Sequence, residues 1–224
     1  MIPDFDYDAP IFNPFTSEEI APPFSAHWEA KRRAAQAVRE LTEVLVTSNA
    51  DIATLNAFTD SITASRQHLA EQPRLYGVTA FIREGGHGHH GEVNHELNAV
   101  GGFSNPLAPQ LNMWLEKESA FGTVTCGYAY EGPPGYIHGG YIAAIFDQFL
   151  GMAQLMGKNP GMTGCLTVRY HRPTPLNTPL DLSASLRGSE GRKTVVTGEM
   201  HAAGELTASC EGLFIRPRAP LKVR

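Results

Sequence analysis

What the chain lacks narrows its function first. Only three cysteines occur in 224 residues: Cys126, Cys165 and Cys210. They are far apart and odd in number, and no C-x-x-C spacing occurs. Buried free thiols are therefore expected rather than a disulfide framework or a thiolate metal site. No basic run exceeds Lys31-Arg32-Arg33, and 18 basic against 23 acidic residues give a formal net charge of -5. Binding along a nucleic-acid backbone needs a broad positive surface, so nucleic acid is not an expected partner. No apolar run approaches the roughly 18 residues of a membrane helix, so membrane insertion is not expected. The opening MIPDFDYDAPIFNPF has no basic region leading into an apolar one and does not read as a signal peptide. A soluble, cytoplasmic protein follows. Ser104, Ser183, Ser185 and Ser209 lack a G-x-S-x-G elbow, so no serine triad is visible. No cofactor is expected.

What is present suits one substantial core. The chain is 42% hydrophobic, with 22 glycines and 16 prolines. Residues 1–26 alternate proline with aromatics, which suggests an extended arm pinned by its rings. From His27 to about Val46, Ala34, Val38, Leu41 and Leu45 recur at helical spacing, with Ser25 placed to cap the start. Asp51 is placed to open a second helix, with Ile52, Leu55, Phe58 or Thr59, and Ile62 on one face. The two are expected to form a helical hairpin that supports packing or a dimer, or acts as a lid. GVTAFI, at 77–82, reads as a short strand. EGGHGHHGEVNHE carries His87, His89, His90 and His95. Four imidazoles can bind zinc, but the glycines and the absence of flanking cysteine favour a surface loop. The boundary is expected near here, giving an N-terminal extension over 1–108 and a second unit over 109–224.

The second unit has a different texture. FGTVTCGYAY predicts a strand at about 121–130, and 139–157 predicts a helix. Four strands follow, at about 163–173, 180–188, 192–203 and 206–216, joined by short turn-like segments. The order is one strand, one helix, then a four-stranded meander. The helix is apolar nearly all round, from Tyr141 and Ile142 to Leu155 and Met156, so a sheet wrapped around it would satisfy it. That is an α+β arrangement with the helix as filling. An exposed sheet edge would offer a dimerisation surface.

The start of that helix, GPPGYIHGGYIAAIFDQFLG at 132–151, holds the chemistry. Pro133 and Pro134 stiffen the approach and Gly135 permits a sharp turn. Gly139 and Gly140 fall in the first helical turn, where backbone N–H groups lack partners. Without side chains there, a ligand oxygen can reach those donors, and the helix end favours negative charge. Asp147 sits between Phe146 and Phe149. A carboxylate in such company needs a partner or a purpose: a hydroxyl or backbone bond, or a role as general base or nucleophile. His138 and Asp147 are nine residues apart, roughly 13 Å along a helix, so they cannot form a dyad within one chain. Two antiparallel helices across a two-fold axis would instead place each Asp147 beside the other's Gly139. A catalytic site would therefore be shared within a homodimer.

YEGPPGYIHGGYIAAIFD and LTVRYHRPTPL (166–176) together resemble the hotdog-fold acyl-CoA thioesterases, in the PaaI-like branch and the related mammalian thioesterase-superfamily-member proteins. The resemblance covers Phe121 to Pro217. It implies a sheet wrapped around a central helix, a dimer or tetramer, and an acyl-CoA or acyl-carrier thioester as substrate. Carried over by motif, Asp147 activates water or attacks the thioester. Gly139, supported by Gly140, polarises the carbonyl through its amide. His138 is the motif histidine, and Thr163 falls where some members carry a hydroxyl that orients water. Several members place Asn or Gln about six residues before the histidine, whereas this chain reads Glu131-Gly132-Pro133. Arg169, Arg172, Arg187, Arg192 and Lys193 are candidates for the CoA phosphates. Met152, with Phe103, Trp114 and Met156, is a candidate for lining an acyl tunnel. Two alternatives remain at this stage: hydration or dehydration of acyl thioesters on the same fold, and a non-catalytic acyl-CoA binding or scaffold protein.

Overall fold

The computed structural model describes residues 25–86, 90–116 and 119–218. The expected arm lies almost entirely outside them, as do His87 and His89. Helix α1 spans Ala26–Thr47 and α2 spans Ile52–Ala70. Both caps are those expected. Ser25 accepts the Trp28 N–H at 3.3 Å and Asp51 accepts the Thr54 N–H at 2.7 Å, each satisfying a donor the first turn leaves open.

The packing of these helices differs from expectation. The predicted stripe of Ala34, Val38 and Leu45 faces outward, with Leu41 half-exposed. The inward face of α1 is instead Trp28, Arg32, Ala35, Arg39 and Glu43, at steps of four and three residues. Its polar members are held by specific partners rather than by apolar contact. Arg39 donates to the carbonyls of Asn105 (2.9 Å) and Phe103 (3.3 Å). No residue of α2 is buried, and Ile52 is 78% exposed, so no packed helical hairpin forms within one chain.

GVTAFI is a helix, not a strand: α3 covers Gly77–Glu84, and its Phe81 ring stacks on Trp28 at 5.8 Å. Part of the expected histidine loop is also helical, α4 over His90–Leu97. This helix turns His95 and Glu96 into the interior, where Glu96 meets Arg32 and Ser104. Among the described residues no group of His, Cys, Asp and Glu is placed to hold a metal ion.

The second half forms one antiparallel sheet. Its strands are β1 (Asn112–Glu116), β2 (Ser119–Val124), β3 (Met162–Tyr170), β4 (Leu180–Glu190), β5 (Lys193–Ala202) and β6 (Glu205–Ile215). Strand β2 is shorter than predicted and gives way to a 3-10 turn at Tyr128–Tyr130. Helix α5 spans Gly139–Ala153, extended by a 3-10 turn at Gln154–Gly157. The spatial order is β1-β2-β4-β5-β6-β3. Only β4, β5 and β6 form the expected meander, while β3 lies at the far edge against β6. The β3–β4 connection cannot close a hairpin, because Pro173, Pro175 and Pro179 remove donors and the remaining groups bond elsewhere. Thr174 O accepts from Ile137 N (2.9 Å) and Asn177 N donates to Cys126 O (2.8 Å). This crossing segment lies against the turn that precedes α5.

Alternation builds the core. Val196, Met200, Leu180, Leu182, Ala120, Cys210 and Phe214 face α5, whose Ile142, Ile145, Phe146, Phe149, Leu150 and Ala153 are buried against them. Gly198 lets the helix approach closely, since a Cβ there would come within 2.8 Å of Leu150. The helix is therefore the filling of a curved sheet, the α+β hotdog arrangement. One side of α5 stays open in the single chain, along Gly140, Ala144, Asp147 and Gly151. Strand β3 is an edge with most residues exposed, Cys165 among them. Cys126 and Cys210 are buried as expected, and Cys165 is not, because no strand covers that edge.

Candidate functional site

The turn before α5 is built backbone-first. Gly135 has φ 82°, a conformation that glycine adopts without strain. Glu131 Oε1 accepts its N–H at 2.6 Å. Glu131 thus fastens the turn. Gly132 N donates to Tyr136 O and His138 N to Tyr130 O, both at 2.9 Å. These bonds fix His138 as the residue before the helix.

At the helix start the two glycines differ. His138 Nδ1 accepts the Gly140 N–H at 3.0 Å, so the Gly140 amide is occupied. The N–H groups of Tyr141 and Ile142 go to His138 O, at 2.9 and 3.3 Å. Among the described residues, nothing accepts the Gly139 N–H. His138 is therefore a cap that satisfies the second amide and leaves the first open. The Tyr170 hydroxyl donates to Gly139 O at 2.9 Å, and its ring lies over the missing Gly139 side chain, where a Cβ would come within 3.3 Å of the hydroxyl. Tyr170 belongs to the LTVRYHRPTPL segment and is not among the site residues expected from the sequence. Its signal is a hydroxyl-bearing ring at the strand end just before a proline-rich crossing.

Asp147 is exposed in the single chain rather than buried among its phenylalanine neighbours, because it lies on the open side of α5. Its Oδ1 accepts the Thr163 hydroxyl at 2.8 Å. Asp147 and Thr163 are thus brought together. Gly139 is two helical turns away in the same chain, about 12 Å along the axis.

The proposed phosphate contacts divide between the two ends of the sheet. Arg169 and Arg172 lie near Tyr170, and Arg172 is ion-paired with Glu205. Arg192 and Lys193 lie at the other end, in register with the start of β3, and Arg192 donates to Arg216 O at 2.9 Å. Arg187 donates to Thr197 at 2.9 Å. One chain does not gather these cations. Met152 packs half-buried against the core, as does Met156. Trp114 stacks on Phe121, and Phe103 lies under the Arg32 guanidinium.

The sheet order and the central helix define the class as a hotdog fold. No family model matches the chain. Acyl-coenzyme A thioesterase THEM4 of Mus musculus is 34% identical over 99 residues, which is 42% of this chain and 43% of that one. The Xenopus laevis protein of the same name is 34% identical over 88 residues, 38% of this chain and 40% of its own. The chain thus matches less than half the length of these curated relatives. The crystal structure of a thioesterase superfamily protein is 35% identical, covers 87% of this chain and 97% of its own, and superposes with a TM-score of 0.71. That coverage runs beyond the hotdog unit into the N-terminal helices. The chain belongs to the hotdog-fold thioesterase superfamily.

Proposed function

We propose that the protein hydrolyses an acyl-CoA or acyl-carrier thioester in a homodimer whose two sites are shared. The carrying observation is the pair of half-sites. Among the described residues, an amide without an acceptor stands at Gly139, and a carboxylate buttressed by Thr163 stands at Asp147. They are too far apart to act on one carbonyl within one chain. Antiparallel pairing of two α5 helices along Gly140, Ala144 and Gly151 would bring Gly139 against Asp147 of the partner subunit. The exposed edge β3 supplies backbone groups for pairing sheets across the same axis.

In this reading the thioester oxygen accepts the Gly139 N–H, which stabilises the charge that develops on it. Asp147 removes a proton from water, whose oxygen bonds to the carbonyl carbon. The intermediate collapses, the C–S bond breaks, and the thiolate leaves to take up a proton. A thiolate needs little acid assistance. The Thr163 bond favours Asp147 as base over nucleophile, because it ties down one carboxylate oxygen and leaves the other to take the proton. His138 serves as cap, and the Gly140 amide, already bonded, is not the donor. The extension, 1–108, is proposed as a unit that buttresses the hotdog unit, 109–224.

A panel of acyl-CoA and acyl-carrier esters assayed for thiol release tests this. Saturable hydrolysis of at least one class is expected. Binding without release would point to the scaffold alternative, and consumption of an enoyl ester without thiol to the hydratase alternative.

A further inference from the structure

We infer that Glu43, on helix α1 of the N-terminal extension, is a positioning residue that holds the oxyanion donor in place. The inference rests on the reading of Gly139 as that donor. The 3-10 turn at Tyr128–Tyr130 begins at Gly127, which provides no side-chain cap. Glu43 supplies one from far away in sequence: Oε1 accepts the Tyr128 N–H at 2.8 Å and Oε2 the Ala129 N–H at 3.0 Å. Both bonds are charge-assisted, the stronger class. Gly127 makes the approach possible, since a Cβ there would come within 2.6 Å of the carboxylate.

The capped turn leads directly to the site. Tyr130 O accepts the His138 N–H at 2.9 Å, and His138 Nδ1 then takes the Gly140 amide at 3.0 Å. The Tyr130 ring meets the Tyr141 ring edge-on at 4.8 Å, in the first turn of α5. Two connections therefore run from the turn that Glu43 holds to the residues on either side of Gly139. Glu43 itself is kept in register by its own helix, where Arg39 clamps the carbonyls of Phe103 and Asn105 one turn earlier. Helix α1 acts as a strut, and its polar inward face is the means by which an extension outside the hotdog unit reaches the reaction centre.

Two variants break the clamp by different routes. Glu43→Ala removes the carboxylate. Gly127→Ala keeps it but occupies its space, at a φ of -85° that alanine accepts without strain. A displaced oxyanion donor costs rate rather than ground-state binding. Each variant should therefore lower kcat about 10- to 100-fold while KM moves less than about threefold. Glu43→Gln, which retains one acceptor oxygen, should fall between. Glu40→Ala, on the same helix but bonded to Gln36 rather than to the 3-10 turn, should keep the parental kcat. Hydrogen exchange over residues 128–142, read by mass spectrometry in the full chain, should quicken in both clamp variants and stay unchanged in β5. If Glu43→Ala and Gly127→Ala both fold and both retain kcat within about twofold, the strut is overturned. If the parent hydrolyses no thioester, the functional reading fails on its own. The strut is then judged by exchange alone: faster exchange over 128–142 supports it, and unchanged exchange overturns it.

Discussion

Replacing Arg32 by Met isolates the energetic centre of the extension. Glu96 is fully buried, and Arg32 donates to it through Nε (2.9 and 3.1 Å) and Nη2 (2.5 Å). Ser104 donates a third group at 2.5 Å. Arg32 is itself only 15% exposed, and its guanidinium lies 4.7 Å from the Phe103 ring. Removing the arginine strands a carboxylate where water cannot reach it, with one hydroxyl left as partner. Breaking a buried pair from one side in this way costs about 3–5 kcal/mol. That is a large part of the ~5–15 kcal/mol that holds a typical domain together. Glu96→Gln leaves the Arg32 cation without its counter-charge, but that side chain is partly exposed and the amide keeps one acceptor oxygen, so it should cost less, about 1–3 kcal/mol. Replacing both residues together, Arg32→Met with Glu96→Leu, removes the charges as a pair. It should return stability to within about 2 kcal/mol of the parent. Urea unfolding followed by circular dichroism reads all three, with m unchanged if only stability has moved. Arg32→Met within about 1 kcal/mol of the parent would show that the pair does not carry the extension.

Other consequences follow from single residues. Burial holds the His95 imidazole down to about 4, with Glu96 opposing and Arg32 reinforcing the shift. The unfolded chain takes up that proton near pH 6.5 and the folded chain only near 4. This contribution is therefore full above about pH 6.5 and declines by roughly 3 kcal/mol as pH falls to 4. His95→Phe should flatten that part of the pH–stability curve, and an unaltered acid slope would contradict it. Ala203 has φ 50° beside Gly204 at 80° in the β5–β6 turn, so Ala203→Asn should relieve about 1 kcal/mol and raise Tm by about 2–4 °C. A lower Tm would contradict it. Thr163→Val removes the hydroxyl that holds Asp147 and should lower kcat about tenfold, with Thr163→Ser restoring it. Unchanged turnover in the valine variant would remove Thr163 from the site.

The hotdog unit was legible because its signals are local. Period-two alternation marks β4 to β6, the glycine and proline turns mark their ends, and the apolar run from Tyr141 marks a helix that must be enclosed. The caps Ser25 and Asp51 were legible for the same reason. The extension was not. Helix α1 turns its more polar face inward because ion pairs and carbonyl contacts from residues some 65 positions away hold it there, and hydrophobic periodicity cannot register such partners. GVTAFI has the composition of a strand but becomes a helix by packing on Trp28. The crossing of β3 to the sheet edge depends on where the crossing segment finds its hydrogen bonds, and it leaves Cys165 exposed. Of the candidate site residues, Gly139, Asp147, His138 and Thr163 were expected from the resemblance, and the Asp147–Thr163 bond is seen. The sequence could not tell which glycine amide is free, because that depends on the His138 ring. Glu43 had no local signal at all.

Turnover of Asp147→Asn on the best thioester substrate tests the central claim most directly. The amide keeps the side chain's size and its capacity to accept from Thr163, but it cannot take a proton from water. Thiol release should fall by about 10² to 10⁴, while substrate affinity stays within a few-fold. Turnover within a few-fold of the parent would mean that the carboxylate on the open side of α5 is not the base.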